Sequence, residues 1–305
     1  MADEVYYSGL TSSARVSAVL SQMIAVKLYD VATLVNHPSI MRVNPAPGST
    51  TVQIPVISWG ANGMAAVAEN ASVANTALTT SSVTCVLARQ ALRRQISDLA
   101  QVTAQGVPLD VTLQGLADDM SSAWSKRGTT MITALASGFS NSVGSTGVDL
   151  SVTAFYNAIF SLQLTANSGQ FVAILHNQQI NDLMSSLRSE TGPGQYLAAT
   201  QEMLNAKGPG FKGQLFGVDI FGSNTVATAN AGADYLGMMI APNAIAMATA
   251  SVSPIVGATT QPGVSPVTVE FERDASGGST VIVGSLLAGV CEVDDAKGVG
   301  ILSDF

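Results

Sequence analysis

The chain has 305 residues, a net charge of −8, 47% hydrophobic and only 11% charged residues, and a mean hydropathy of +0.34. That length can bury a full core as one large domain or two of ordinary size, and the negative balance excludes a general nucleic-acid binder, which needs surplus cations to release counterions from phosphates. Charge at under half its usual share would leave a lone monomer poorly solvated, so much of the exterior is expected to be covered by other chains.

The start, Met-Ala-Asp-Glu-Val, is acidic and lacks the apolar segment of a secretory signal. The neutral stretches from Met238 to Thr260 and Val281 to Val290 are broken by Pro242, Asn243 and Pro254 or are too short for a bilayer, so no membrane span is expected. Val16, Leu20, Met23, Ile24, Leu28 and Val31 predict a short helix over 12–31, capped by Ser12 or Ser13. Pro38, Pro45, Pro47 and Gly48 then force an extended arm.

Alternation in TTVQIPVISW (50–59) and SVTCVLARQAL (82–92) predicts two strands, joined by a stretch in which Glu69 is the one charged residue. Arms of about 20 residues would reach roughly 60 Å, too far for their own core to cover. Such a hairpin is expected to lie on a neighbouring subunit. From Pro108 to Phe139, Leu109, Leu113, Leu116, Met120, Trp124, Met131 and Leu135 form one apolar stripe, with Asp118, Ser121, Ser122, Ser125 and Thr129 opposite. Gly115 and Gly128 inside it cost about 1 kcal/mol each, so packing must hold this long helix straight.

Val152, Phe155, Ile159 and Leu162 predict a second helix, FVAILH at 171–176 a buried strand, and Ile180, Leu183, Met184 and Leu187 a helix capped by Asn177. A short helix is expected over 195–205 within a loop-like stretch. Strands are expected over 215–221, 235–241, 267–272, 280–286 and 289–293, the stretch 243–250 is left without a type, and 294–305 reads as a turn-rich tail. No internal repeat is visible.

Few motifs carry chemistry. Gly208-Pro209-Gly210-Phe211-Lys212-Gly213 matches G-x-G-x-x-G, but Pro209 removes an amide and a strand follows, so a flexible surface loop is expected there and not a nucleotide site. His37, His176, Cys85 and Cys291 lack metal-ligand spacing, and nothing selects a serine or aspartate partner for His176. No cofactor or metal is expected. The two cysteines read as buried thiols, with a disulfide as the alternative. Asp118 and Asp119 diverge on a helix, and Asp294-Asp295 read as solvated surface or intersubunit partners. Arg89, Arg93, Arg94, Lys126 and Arg127 are the basic cluster, expected on the surface, paired within the chain, or facing acidic groups of adjacent subunits. With Trp59 and Glu69 of the hairpin, these residues are the candidate assembly contacts.

The order of parts resembles the major capsid proteins of tailed bacteriophages with the Hong Kong 97-type fold. The phrases that carry it are Gly48-Ser-Thr-Thr-Val-Gln-Ile-Pro55, Ile96-Ser97-Asp98, the long helix, FVAILHNQQINDLMSSL, FKGQLFGVDIFGSNTV and the closing Val-Gly-Ser-Leu-Leu-Ala-Gly-Val-Cys-Glu-Val. The resemblance implies an α+β chain with an N-arm (1–48), an E-loop hairpin (49–92), a P-domain (93–168) with the spine helix, an A-domain (169–288) with a central sheet, and a segment (289–305) returning to the P-domain. It also implies pentamers and hexamers around double-stranded DNA held without sequence-specific binding, assembly in the host cytoplasm into a virion, portal and cement proteins as partners, and no enzymatic role. Lysine is absent between Lys27 and Lys126, so a lysine-to-asparagine cross-link from the E-loop is not available. The short arm points to a separate scaffolding protein. An encapsulin-type nanocompartment shell, a hydrolase using His176 and a surface-layer protein are the alternatives.

Overall fold

A computed structural model describes residues 20, 23–24, 37–46, 49–58, 69, 79–98, 109–165, 170–189, 196–208, 210–250 and 267–304. Most of the helix expected over 12–31 lies outside these residues, although Leu20, Met23 and Ile24 are helical and both Leu20 and Ile24 are fully buried.

In chain order, strands β1 (Met41–Val43), β2 (Thr51–Ser58), β3 (Thr79–Val86) and β4 (Ala88–Ser97) precede the long helix α1 (Leu109–Ala134), which tightens into a 3-10 turn at Leu135–Ser137. Strand β5 (Ser142–Gly144), helix α2 (Val152–Thr165), strand β6 (Val172–His176) and helix α3 (Asn177–Ser189) follow. Next come β7 (Tyr196–Ala198), α4 (Gln201–Lys207), β8 (Phe211–Leu215), β9 (Val218–Ser223), β10 (Thr228–Ala229) and β11 (Asp234–Ile240). Strands β12 (Ile245–Ala250), β13 (Thr268–Asp274), β14 (Ser279–Glu292) and β15 (Gly298–Asp304) complete the described chain.

Two large sheets share α1. One orders β1-β12-β14-β13 with β4 along the other side of β14; the second orders β5-β15-β11-β6-β9-β8-β7, with β10 on β11. Side chains of a strand alternate between faces, so Val172 and Ile174 of β6 reach the α1 side while Ala173 and Leu175 meet Phe155, Ile159, Leu162 and Leu183 of α2 and α3. Ala117, Met120, Trp124 and Ile132 of α1 and Ala136 of the 3-10 turn pack with Ile282 and Leu286 of the first sheet and Met238 and Ile240 of the second, making one core of both.

The polar side expected for α1 is partly wrong, since Ser121 and Thr129 are buried. Each hydroxyl donates to a carbonyl of its own helix, Ser121 Oγ to Asp118 at 3.1 Å and Thr129 Oγ1 to Ser125 at 2.9 Å, which removes the cost of burying it. Other expectations need correction. The strand read at 215–221 is a hairpin: Phe216 (φ 52°) and Gly217 (φ 80°) turn β8 into β9. The helix expected over 195–205 begins at Gln201, where the Thr200 hydroxyl accepts the Met203 amide at 3.3 Å. The strands read at 280–286 and 289–293 are one 14-residue strand, β14, and the stretch 243–250 contains strand β12. The supposed tail holds β15, paired along its whole length with β11 and buried in the second sheet.

The β2–β3 hairpin pairs Thr51 with Val86 through Ser58 with Thr79. Its root rests on the chain's own body, where Val52, Ile54, Cys85 and Leu87 bury against Ala246, Ala248 and Cys291. Thr51, Gln53, Thr80 and Thr84 on the other side are exposed.

Candidate functional site

Among the described residues no three histidine, cysteine, aspartate or glutamate side chains converge as metal ligands. His176 instead caps helix α3: its Nδ1 accepts the Gln178 amide at 3.1 Å, and its own amide donates to Gln179 Oε1 at 2.9 Å. This is a reciprocal capping box with histidine in the cap position, one residue before the expected Asn177. The ring stacks on Tyr235 at 3.6 Å and 13°, and burial lowers its pKa. His37 does the same in miniature, its Nδ1 accepting the Ser39 amide at 3.2 Å while the ring meets Phe221 edge-on at 5.0 Å. Burial lowers the His37 pKa as well. These are neutral structural acceptors.

The G-x-G-x-x-G string is not a flexible loop where it is described. Gly208 ends α4 with its amide on Leu204, β8 begins at Phe211, and the Tyr196 hydroxyl donates to the Lys212 carbonyl at 2.7 Å. Lys207 next to it grips Asp219 at 2.6 and 2.7 Å.

The expected basic cluster is divided between the two faces of β4. Even-numbered residues face α1: Arg94 makes a two-pronged pair with Asp119, and Gln90 Oε1 accepts from Arg127 Nε at 3.0 Å. Arg89 and Arg93 alternate to the other face and are exposed, Arg93 near enough to Asp274 to lower its pKa after the Gly277 and Ser276 hydrogen bonds have done most. Lys126 is exposed on α1, and Glu69 is an exposed turn residue. Trp59 lies outside the described residues. Between β4, β14 and α1 a cavity of about 300 Å³ is lined by Leu92, Met120, Trp124 and Leu286, with Gln90 and Arg127 among its polar wall.

Helix α2 carries a second apolar stripe that is not among the residues expected from sequence. Tyr156, Phe160 and Leu164 are 52%, 53% and 70% exposed, and Phe216 of the β8–β9 turn meets Tyr156 edge-on at 5.7 Å. Their i, i+4, i+8 spacing was a legible signal, since it lies on the face away from Phe155, Ile159 and Leu162.

No protein-family model and no curated protein sequence matches the chain. Solved structures do match. The capsid of Ralstonia phage GP4 is similar with a TM-score of 0.62 at 10% identity, covering 87% of each chain. The head structure of Helicobacter pylori bacteriophage KHP40 is similar with a TM-score of 0.58 at 12% identity, covering 88% of each. The holo-SrpI encapsulin complex from Synechococcus elongatus is similar with a TM-score of 0.57 at 10% identity, covering 88% of this chain and 85% of that one. The chain therefore has the Hong Kong 97-type fold of these shell subunits.

Proposed function

We propose that this chain is a structural shell protein, the major capsid protein of a tailed bacteriophage, assembling through pentamers and hexamers into an icosahedral head around double-stranded DNA. The observation that carries the reading is the shared fold over nearly nine-tenths of the chain with phage capsid and head subunits. In this reading α1 and the five-stranded sheet form the body of the P-domain, which takes in β12, β13 and β14 from the stretch expected to be A-domain; the eight-stranded sheet forms the A-domain and includes β15 from the segment expected to return to the P-domain; and the β2–β3 hairpin is the E-loop. Copies cover the α2 stripe of Tyr156, Phe160 and Leu164, and Arg89, Arg93, Lys126, Arg127, Trp59 and Glu69 serve contacts between subunits. The net charge of −8 fits a container that encloses DNA without gripping its bases. A separate scaffolding protein, a portal and cement proteins complete the virion.

The similarity to an encapsulin complex supports a second reading, a nanocompartment shell. Electron microscopy of the purified protein, with analysis of particle contents, decides. Icosahedral particles holding DNA support the head, particles holding a protein cargo support the compartment, and a monodisperse monomer at high concentration overturns both. Correct closed shells from this chain expressed alone would count against the separate scaffold.

A further inference from the structure

Strand β14 runs antiparallel to β4 up to the pair Ala288 with Ala88. Beyond that pair the ladder ends, and β3, which belongs to the separate two-stranded sheet with β2, crosses the face of β14 toward which Gly289 and Cys291, two residues apart, direct their side-chain positions. Gly289 permits the approach: a Cβ there would stand 2.1 Å from the Val86 carbonyl oxygen and 3.3 Å from the Leu87 Cα. Both cysteines are free and buried in one small cluster floored by Ala246 and Ala248, and their side chains share a hydrogen bond.

We propose that Cys85 and Cys291 are a site of reversible covalent modification, closed by a small-molecule disulfide such as oxidised glutathione into an intrachain disulfide that ties the hairpin root to β14. The Cys85 sulfur attacks one sulfur of the oxidant and expels a thiolate. The Cys291 sulfur then attacks the mixed disulfide at Cys85, forming the protein S–S bond and expelling the second thiolate. Two electrons pass to the oxidant, which leaves as two thiols carrying the two cysteine protons. Cys85 is the first to ionise, since the Cys291 hydrogen bond brings its pKa down to about 7, while the same contact and burial raise Cys291. The hairpin has no lysine for an isopeptide, and this pair offers a different covalent tie. The inference does not depend on the shell reading, because its readout is the chain itself.

The test incubates the purified protein with oxidised glutathione, unfolds it in urea to expose the thiols, blocks those remaining with iodoacetamide and weighs the intact chain without reductant. The expected product is the monomer mass less two hydrogens, with neither cysteine alkylated, reversed by dithiothreitol. Its thermal midpoint rises by about 5–10 °C, as the closure of a long loop gives. Cys85→Ser and Cys291→Ala show no such rise. Two alkylated cysteines after prolonged incubation, stable glutathione adducts at either site, or disulfide-linked dimers would each overturn the proposal.

Discussion

Arg94 holds Asp119 with two hydrogen bonds, Nε to Oδ2 at 2.5 Å and Nη2 to Oδ1 at 2.9 Å, tying strand β4 to helix α1. The hydrogen bond from Arg94 lowers the Asp119 pKa, with the charges of Arg94 and Lys126 adding to it against burial. A depressed carboxyl stabilises the fold above its unfolded pKa near 3.8 and loses that contribution as pH falls through the folded value. Side chains 46% and 40% exposed are screened, so Asp119→Asn is expected to cost under about 1 kcal/mol at pH 7. Urea midpoints of variant and parent should draw together as pH falls below 3.8 and through the folded value, and a gap unchanged by acid would remove the pair as its source.

The two histidines set a second pH dependence. Each uses Nδ1 to accept a backbone amide two residues on, and each has a pKa below 6.5 because burial disfavours its charged form. Their contribution is complete above pH 6.5 and falls as acid protonates the unfolded chain first, down to the folded pKa. His176→Asn, which can still cap α3, should flatten the loss of stability between about pH 7 and 5. An unaltered slope would show that His176 titrates alike in both states. If His176 were a catalytic base, the same variant would abolish a hydrolytic activity without touching the fold.

Gln179 is the polar peg of the eight-stranded sheet. Fully buried, it donates to Ser303 Oγ at 2.9 Å and to the carbonyls of Tyr235 and Ile301 at 3.3 and 3.4 Å, while accepting from His176. Replacing it with methionine keeps the length and removes all four of these hydrogen bonds. The expected loss is at least about 2 kcal/mol, read by chemical denaturation.

Two glycines should respond with opposite signs. A Cβ on Gly300 would lie 2.5 Å from the Ala136 carbonyl oxygen, so Gly300→Ala forces β15 off the end of α1 and should cost about 1–3 kcal/mol. Gly115 is exposed inside α1, with nothing within 4 Å of its Cβ direction. Gly115→Ala should stabilise by up to about 1 kcal/mol. Paired thermal melts measure both, and a shared sign would contradict the packing described here.

The α2 stripe gives the assembly prediction. Phe160→Glu places a charge on a residue already 53% exposed, so circular dichroism should stay native. Burying that carboxylate between copies would cost several kcal/mol at each contact. Particle yield by electron microscopy should collapse, and normal shells from this variant would remove the stripe from the interface.

Local periodicity made much of the scaffold legible. Helix α1 ends within a few residues of the expected bounds, and Val152, Phe155, Ile159 and Leu162 are all buried as their spacing predicts. What escaped was set by distant neighbours. Gly289 was expected to start a strand, but it sits inside β14, bare of a side chain where Val86 passes close. Gly298 and Gly300 looked like turn residues, but they are bare to admit Phe139 and Ala136. The basic cluster was visible as composition, whereas its division between the two faces of β4 follows from registry with β14. The contact between Cys85 and Cys291, distant in sequence, follows from β3 crossing β14 at Gly289, which no local pattern encodes.

Strand β15 lies between β5 and β11, so the sheet started by residues 142–144 and 172–176 stays split until residues 298–304 are inserted. A ribosome-bound chain still missing that wedge has an open seam between β5 and β11, so this sheet closes only after residues 298–304 have emerged, however early its other strands are made.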